Sequence, residues 1–161
     1  MLSRIYNKIL QMIITLDTES PNQTEQVAET IGNRLKGGEV IELIGDLGAG
    51  KTTFTRGLAR GIGSIDHVAS PTFTISKVYK GKGLWLNHFD FYRLKDAGII
   101  EHEISESIAD RDAITVVEWG GVVAHVLPKD RLSIHFVLTG ENGRQMTFEF
   151  SDHLKYLMEE A

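Results

Sequence analysis

The sequence predicts an α/β domain whose mixed, partly antiparallel sheet lies between helical layers in a three-layer sandwich. Three observations predict it. Gly45-Asp46-Leu47-Gly48-Ala49-Gly50-Lys51-Thr52 spells G-x-x-x-x-G-K-T, the pattern of a phosphate-binding loop. The apolar, partly β-branched run Glu39-Val40-Ile41-Glu42-Leu43-Ile44 precedes it, and Phe54, Leu58 and Ile62 follow at helical spacing, so the motif sits between a buried strand and a helix. Two later pairs of alternating runs are each joined by a glycine-containing turn, which makes hairpins and adds antiparallel strands to the sheet. Together these describe a P-loop NTPase-like domain.

The spelling of the loop has a chemical reason. Glycines at 45, 48 and 50 open backbone conformations that a Cβ restricts, so successive N–H groups can turn around an anion. Lys51 reaches the β and γ phosphates of a nucleotide, and the Thr52 hydroxyl is placed for Mg²⁺. Thr53 continues into a helix whose positive N-terminal end faces the same anion.

Composition narrows the classes. A chain of 161 residues is long enough for one core, and it shows no internal repeat. The net charge of −5 points away from unaided nucleic-acid or anionic-membrane binding. With no cysteine, disulfides, thiol catalysis and thiolate metal sites are excluded, and a reducing, cytoplasmic setting is expected. No apolar run reaches the roughly 18 residues of a membrane span. Arg4 and Lys8 precede apolar residues, but Gln11 and Thr15 interrupt them and acids follow, which argues against a signal peptide.

Taken in order, Leu2, Ile5, Tyr6 and Ile9 have helical spacing in a segment outside the domain pattern, so residues 1–11 read as an extension and 12–161 as a single domain. Residues 12–16 form the first strand. Ser20-Pro21-Asn22-Gln23 then supplies a helix cap, a proline at the first helical position and a capping-box partner, with Val27, Ala28, Ile31 and Leu35 inward and Gly37 as the stop. The central strand, the loop and the second helix follow, the last stopping at Gly63.

Proline 71 forces Ser70 away from helix, so Ser70-Pro71-Thr72-Phe73-Thr74 is a loop. Its hydroxyls either serve a second magnesium position in a mobile, switch-like loop or satisfy local backbone, and local evidence favours the backbone. Residues 74–79 and 84–92 form the first hairpin, with Leu84, Leu86, His88, Asp90 and Tyr92 on one face. Asp90 lies at the ligand-binding end, near the metal or the attacking water unless it merely pairs with Arg93. His88 alone reads as structural. Residues 94–109 are weakly helical, with Glu101, Glu103 and Glu106 on a solvated or partner-facing side. Residues 114–119 form a buried strand that ends in Glu118, where phosphate-loop enzymes place an acid beside Mg²⁺. Trp119 stacks on a base, meets a partner, or fills core, the last being the commonest fate of a tryptophan. A second hairpin over residues 131–150 and a short C-terminal helix close the chain.

Four stretches together resemble one family. Gly45-Asp46-Leu47-Gly48-Ala49-Gly50-Lys51-Thr52-Thr53-Phe54, Ser70-Pro71-Thr72-Phe73, His88-Phe89-Asp90-Phe91-Tyr92-Arg93-Leu94 and Val117-Glu118-Trp119 are similar to the signature of the TsaE family, bacterial ATPases needed to make threonylcarbamoyladenosine in tRNA. The resemblance implies binding of ATP and Mg²⁺, slow hydrolysis by the isolated chain, and action with the TsaB and TsaD proteins, through which tRNA is mainly met. It implies that Lys51 holds phosphates, that Thr52 and Glu118 ligate Mg²⁺, that Ser70 and Thr72 belong to a switch-like loop, that Asp90 supports hydrolysis, and that Trp119 lies near nucleotide or partner. Gly120-Gly121 departs from the family pattern, which often has an acidic residue shortly after Glu-Trp. A small-molecule kinase is the alternative, although Arg93, Arg111, Arg131 and Arg144 are scattered rather than gathered into a lid. A GTP switch lacks its Asn-Lys-x-Asp element downstream of the loop.

Overall fold

The structure is a computed structural model and describes residues 11–159; the helical spacing read over residues 1–10 lies outside them. Seven strands form one sheet in the order β1-β7-β6-β2-β5-β4-β3. In chain order they are β1 Gln11–Thr18, β2 Val40–Ile44, β3 Ser76–Lys80, β4 Trp85–Asp90, β5 Ala113–Glu118, β6 Leu132–Leu138 and β7 Arg144–Ser151. Among the described residues the α-helices are α1 Pro21–Gly32, α2 Lys51–Gly61 and α3 Ile100–Ala109. Strands β6, β2, β5 and β4 are mutually parallel, while β1/β7, β7/β6 and β4/β3 pair antiparallel. The sheet is therefore mixed, and both hairpins read from the sequence are present.

Alternation along the strands divides the core. Ile41, Leu43, Ile134, Phe136 and Phe148 face one side, where Ala28 and Ile31 of α1 and Phe54 and Leu58 of α2 cover them. Val40, Phe89 and Val117 face the other, beneath Ile104 of α3 with Val123 and Leu127. Every residue of β5 is buried because both its faces are covered, which is why its sequence is a continuous apolar run rather than an alternating one. The second outer layer is partial. Beyond β2 it leaves Ile13 on β1 and Val137 on β6 exposed.

Helices α1 and α2 approach closely through glycines. A Cβ on Gly61 would lie 2.6 Å from the Gly32 Cα, and one on Gly57 would lie 2.6 Å from the Ala28 Cβ. Across this seam Glu25 accepts from Arg56 at 2.6 Å and from Arg60 at 2.7 Å. Burial opposes the Glu25 charge, but the two guanidiniums outweigh it and hold the carboxyl below its ordinary range.

Some boundaries differ from the sequence reading, each for a local reason. Helix α1 stops at Gly32, although Leu35 remains buried, because the Glu39 carboxylate captures the Lys36 and Gly37 N–H groups at 2.7 and 2.8 Å and fixes a turn there. Strand β3 starts at Ser76 because the Thr74 and Ile75 N–H groups are taken by the Pro71 carbonyl, with Ile75 at φ 68°. Strand β4 ends at Asp90, whose own carboxylate accepts from the Tyr92 N–H at 3.0 Å and turns the chain. The C-terminal segment Asp152–Leu157 is a 3₁₀ helix, with Leu154 and Leu157 buried as expected.

Candidate active site

The loop after β2 is shaped by contacts that only glycine permits. Gly50 precedes α2 at φ 107°, a left-handed conformation that strains any residue with a side chain. A Cβ on Gly45 would lie 3.0 Å from the Phe136 carbonyl oxygen, so that glycine lets the loop leave β2 hard against β6. Ala49 is buried in the core below, while Leu47 stands exposed at the tip. The Ala49 N–H donates to the Asp46 carbonyl at 3.1 Å and closes the turn. The first turn of α2 leaves N–H groups without intrahelical partners, the basis of anion binding at such an end.

A cavity of about 280 Å³ lies over this turn, lined by Leu47, Gly48, Gly50, Lys51, Thr52 and Thr53 from the loop and helix, by Ser70, Thr72, Asp90 and Glu118 opposite, and by Arg144. Lys51 is only 4% exposed. Its Nζ donates to the Gly45 carbonyl at 2.6 Å and the Asp46 carbonyl at 2.8 Å, and lies 5.0 Å over the Trp119 ring. Burial pulls the Lys51 ammonium below its ordinary pKa, against the attraction of Glu118, Asp90 and Asp46.

Asp90 and Glu118 face each other across the β4–β5 pairing as the last residues of their strands. Asp90 Oδ2 accepts from Thr72 Oγ1 at 2.7 Å and from Ser70 Oγ at 3.2 Å, while the two hydroxyls lie 2.7 Å apart. This corrects one expectation: the Ser70 and Thr72 hydroxyls serve a carboxylate 20 and 18 residues away rather than local backbone. Arg93, the alternative partner for Asp90, instead stacks its guanidinium on Phe73 at 4.3 Å. Glu118 Oε1 lies 2.8 Å from His88 Nε2 with both side chains buried. Trp119 is only partly buried, packed against the core beneath α3. It adopts φ 57°, its ring lies 5.0 Å from that of Tyr92, and it lines a second cavity of about 580 Å³ beyond Gly45 and Asp46.

The donor set suits Mg²⁺. Among the described residues no group of three His, Cys, Asp or Glu side chains is arranged to hold a metal by itself. Oxygens from Thr52, Asp90 and Glu118 line a cavity shared with the phosphate-binding turn. Such a set fits a hard cation that takes one or two carboxylates and completes its shell with phosphate and water. A model of the family "Threonylcarbamoyl adenosine biosynthesis protein TsaE" matches residues 18–146, the segment that carries all of these groups. The chain belongs to the TsaE family.

Curated relatives match most of the chain. The tRNA threonylcarbamoyladenosine biosynthesis protein TsaE of Bacillus subtilis is 40% identical over 131 residues, covering 81% of this chain and 82% of the relative. The protein of the same name from Treponema pallidum is 35% identical over 130 residues, 81% of this chain and 96% of the relative. A crystal structure of Bacillus subtilis YdiB superposes with a TM-score of 0.71 at 34% identity, covering 92% of each chain. The TsaE-family fold here is thus a P-loop fold carrying a mixed seven-stranded sheet.

Two residues at this TsaE-family site were not chosen from the sequence. His88 was read as structural, yet its ring touches Glu118; the signal was its place two residues before Asp90 on the same strand face. Arg144 was one of the scattered arginines, yet its Nη2 donates to the Gly48 carbonyl at 3.3 Å and its Nε would lie 3.3 Å from a Cβ on Gly50. No local signal marks it, because the contact spans 96 residues.

Proposed function

We propose that this chain is the Mg²⁺-dependent ATPase subunit of the bacterial complex that makes threonylcarbamoyladenosine in tRNA, weakly active alone and stimulated by the TsaB and TsaD proteins. Hydrolysis drives or resets that pair, and tRNA is engaged mainly through it. The observation that carries the reading is the single cavity in which the glycine loop, Lys51 and Thr52 confront Asp90 and Glu118. Family membership supports the pathway. The net charge of −5 supports leaving tRNA contact to partners.

In this reading Gly45 to Thr53 wrap the phosphates with their N–H groups, and Lys51 leaves the Gly45 and Asp46 carbonyls to meet them. Thr52 and Glu118 hold Mg²⁺, which when bound neutralises charge on the phosphate oxygens. Asp90 supports hydrolysis and ties the switch-like Ser70 and Thr72 to the site. Trp119 lies near the nucleotide or the partner surface. An N-terminal extension precedes a single domain, which begins at Gln11, one residue before the boundary read from the sequence, because Gln11 opens β1. The setting is the cytoplasm, in keeping with a role in tRNA modification. Separately, among the described residues no helix is long and apolar enough to cross a membrane.

Transfer of a phosphoryl group to a small acceptor would call for more basic side chains. Lys51 and Arg144 are the basic residues that line either cavity. Equilibrium binding of fluorescently labelled ATP tests the assignment. Wild-type protein binds it in preference to GTP, and Lys51→Ala weakens it at least about tenfold, as loss of a charged hydrogen-bond donor does. Equal binding by Lys51→Ala contradicts the site.

A further inference from the structure

His88 is a buried polar ring that makes one hydrogen bond. Its side chain has no exposure, and its Nδ1 has no hydrogen-bond partner among the described residues. The ring lies beside Tyr79, with centroids 6.4 Å apart. Tyr79 is itself pinned, its hydroxyl donating to the Ala69 carbonyl at 2.8 Å and accepting from the Ala69 N–H at 3.2 Å. An apolar side chain would suit such a place better, since an unpartnered buried nitrogen is costly. What the imidazole adds is the 2.8 Å contact with Glu118 Oε1. A carboxylate accepts only, so Nε2 carries the hydrogen.

A glutamate's terminal torsion is broad and roughly two-fold, so a carboxylate anchored only by its stem samples many orientations. A donor on one oxygen fixes it. The strands provide that donor without a loop: β4 and β5 are parallel neighbours, His88 pairs in register with Val116, and Asp90 pairs with Glu118. His88 and Asp90 thereby come from one face of one strand. One holds Glu118 from below and the other ties down Ser70 and Thr72.

We propose that His88 is a positioning residue for the metal site: its Nε2–H holds Glu118 Oε1 and leaves Oε2 for the cation. This rests on the reading that Glu118 ligates Mg²⁺, and the test separates the two. Mg²⁺ is titrated into the full chain in the presence of fluorescently labelled ADP, and the half-saturating free Mg²⁺ is read. His88→Leu raises it by about 10–100-fold, the usual effect of losing the group that orients a ligand, while ADP affinity in excess chelator is unchanged. His88→Gln carries an N–H donor at similar reach and stays close to wild type. In a Glu118→Gln background His88→Leu adds nothing.

Wild-type Mg²⁺ dependence in folded His88→Leu overturns the proposal. So does a His88→Gln defect as large as that of His88→Leu, or an undiminished His88→Leu effect in the Glu118→Gln background. Wild-type Mg²⁺ dependence in Glu118→Gln alone instead refutes the metal role of Glu118. A nitrogen-15 spectrum of the wild-type imidazole decides without any variant: the Nε2–H tautomer is expected, and the Nδ1–H tautomer overturns the assignment.

Discussion

Alanine at Gly57 sets two effects of opposite sign against each other. In the middle of α2 the substitution improves helix propensity by about 1 kcal/mol. The added Cβ would overlap the Glu25 carbonyl oxygen and lie 2.6 Å from the Ala28 Cβ. Carbon atoms rest at 3.5–4.0 Å, and a helical carbonyl cannot swing aside, so α2 must retreat by about 1 Å. Overpacking of this kind costs about 1–3 kcal/mol, occasionally more, and with two backbone-level contacts the upper end applies. Retreat also stretches the pairs from Glu25 to Arg56 and Arg60, which lie at 2.6 and 2.7 Å. Weakening them adds little, since both arginines are substantially exposed. The balance is a loss of about 2–3 kcal/mol, or about 4–12 °C in Tm for a domain of this size. Lys51 begins α2, so nucleotide affinity measured well below Tm falls as well. Thermal unfolding followed by circular dichroism reads the first effect, with Gly140→Ala, whose Cβ would meet nothing within 4 Å, as the control. A Gly57→Ala protein as stable as wild type, or more so, refutes the close-packing argument.

Three further outcomes follow from the site. Asp90→Asn keeps the shape but removes the charge that accepts from Ser70, Thr72 and Tyr92. Charged hydrogen bonds are worth about 1 kcal/mol more than neutral ones, so amide exchange over residues 70–75 accelerates at least about tenfold; unchanged exchange counts against Asp90 as the loop's anchor. Arg144→Gln removes the guanidinium packed over Gly48 and Gly50 and weakens ATP and ADP binding about tenfold, which calorimetry reads; wild-type affinity would leave Arg144 a purely structural group. Burial lowers the Lys51 pKa from 10.5, and phosphates favour the ammonium, so nucleotide binding takes up a proton at alkaline pH. Affinity is therefore flat near neutrality and declines as pH rises through the lowered Lys51 pKa; affinity constant up to pH 10.5 contradicts this.

Much of the framework was legible because its causes are local. The glycine loop between an apolar strand and an amphipathic helix is written in consecutive residues. Period-two alternation placed His88 and Asp90 on one face of β4 before any sheet order was known. What those residues touch was not legible, because it depends on which strands become neighbours. The pairing of Asp90 with Glu118 requires β4 beside β5, joined through α3. From the sequence alone nearby backbone was the closer partner for Ser70 and Thr72, and only the fold brings Asp90 within 3.2 Å of both hydroxyls.

Other features had no sequence signal at all. Tryptophan has no preference for the left-handed region, so its φ of 57° at position 119, where the ring bridges the second core cluster and Lys51, is set by surroundings. The end of α1 was misplaced because Leu35 keeps the apolar spacing of a helix while Glu39, four residues on, captures the backbone for a turn. The partial outer layer over β1, β7 and β6 was likewise hidden. The alternation in those strands tells that one face is buried, not that the other lacks a helix.

Hydrolysis measured on the purified full chain distinguishes an ATPase completed by its partners from an enzyme that acts alone. ATP turnover is followed with the chain alone and with the matching TsaB–TsaD pair, using Lys51→Ala as the blank. Slow turnover alone, strong stimulation by the pair, and loss of both in the blank are expected. Nucleotide binding without stimulation, or label from γ-phosphate appearing on a small acceptor rather than as free phosphate, would contradict a partner-completed ATPase.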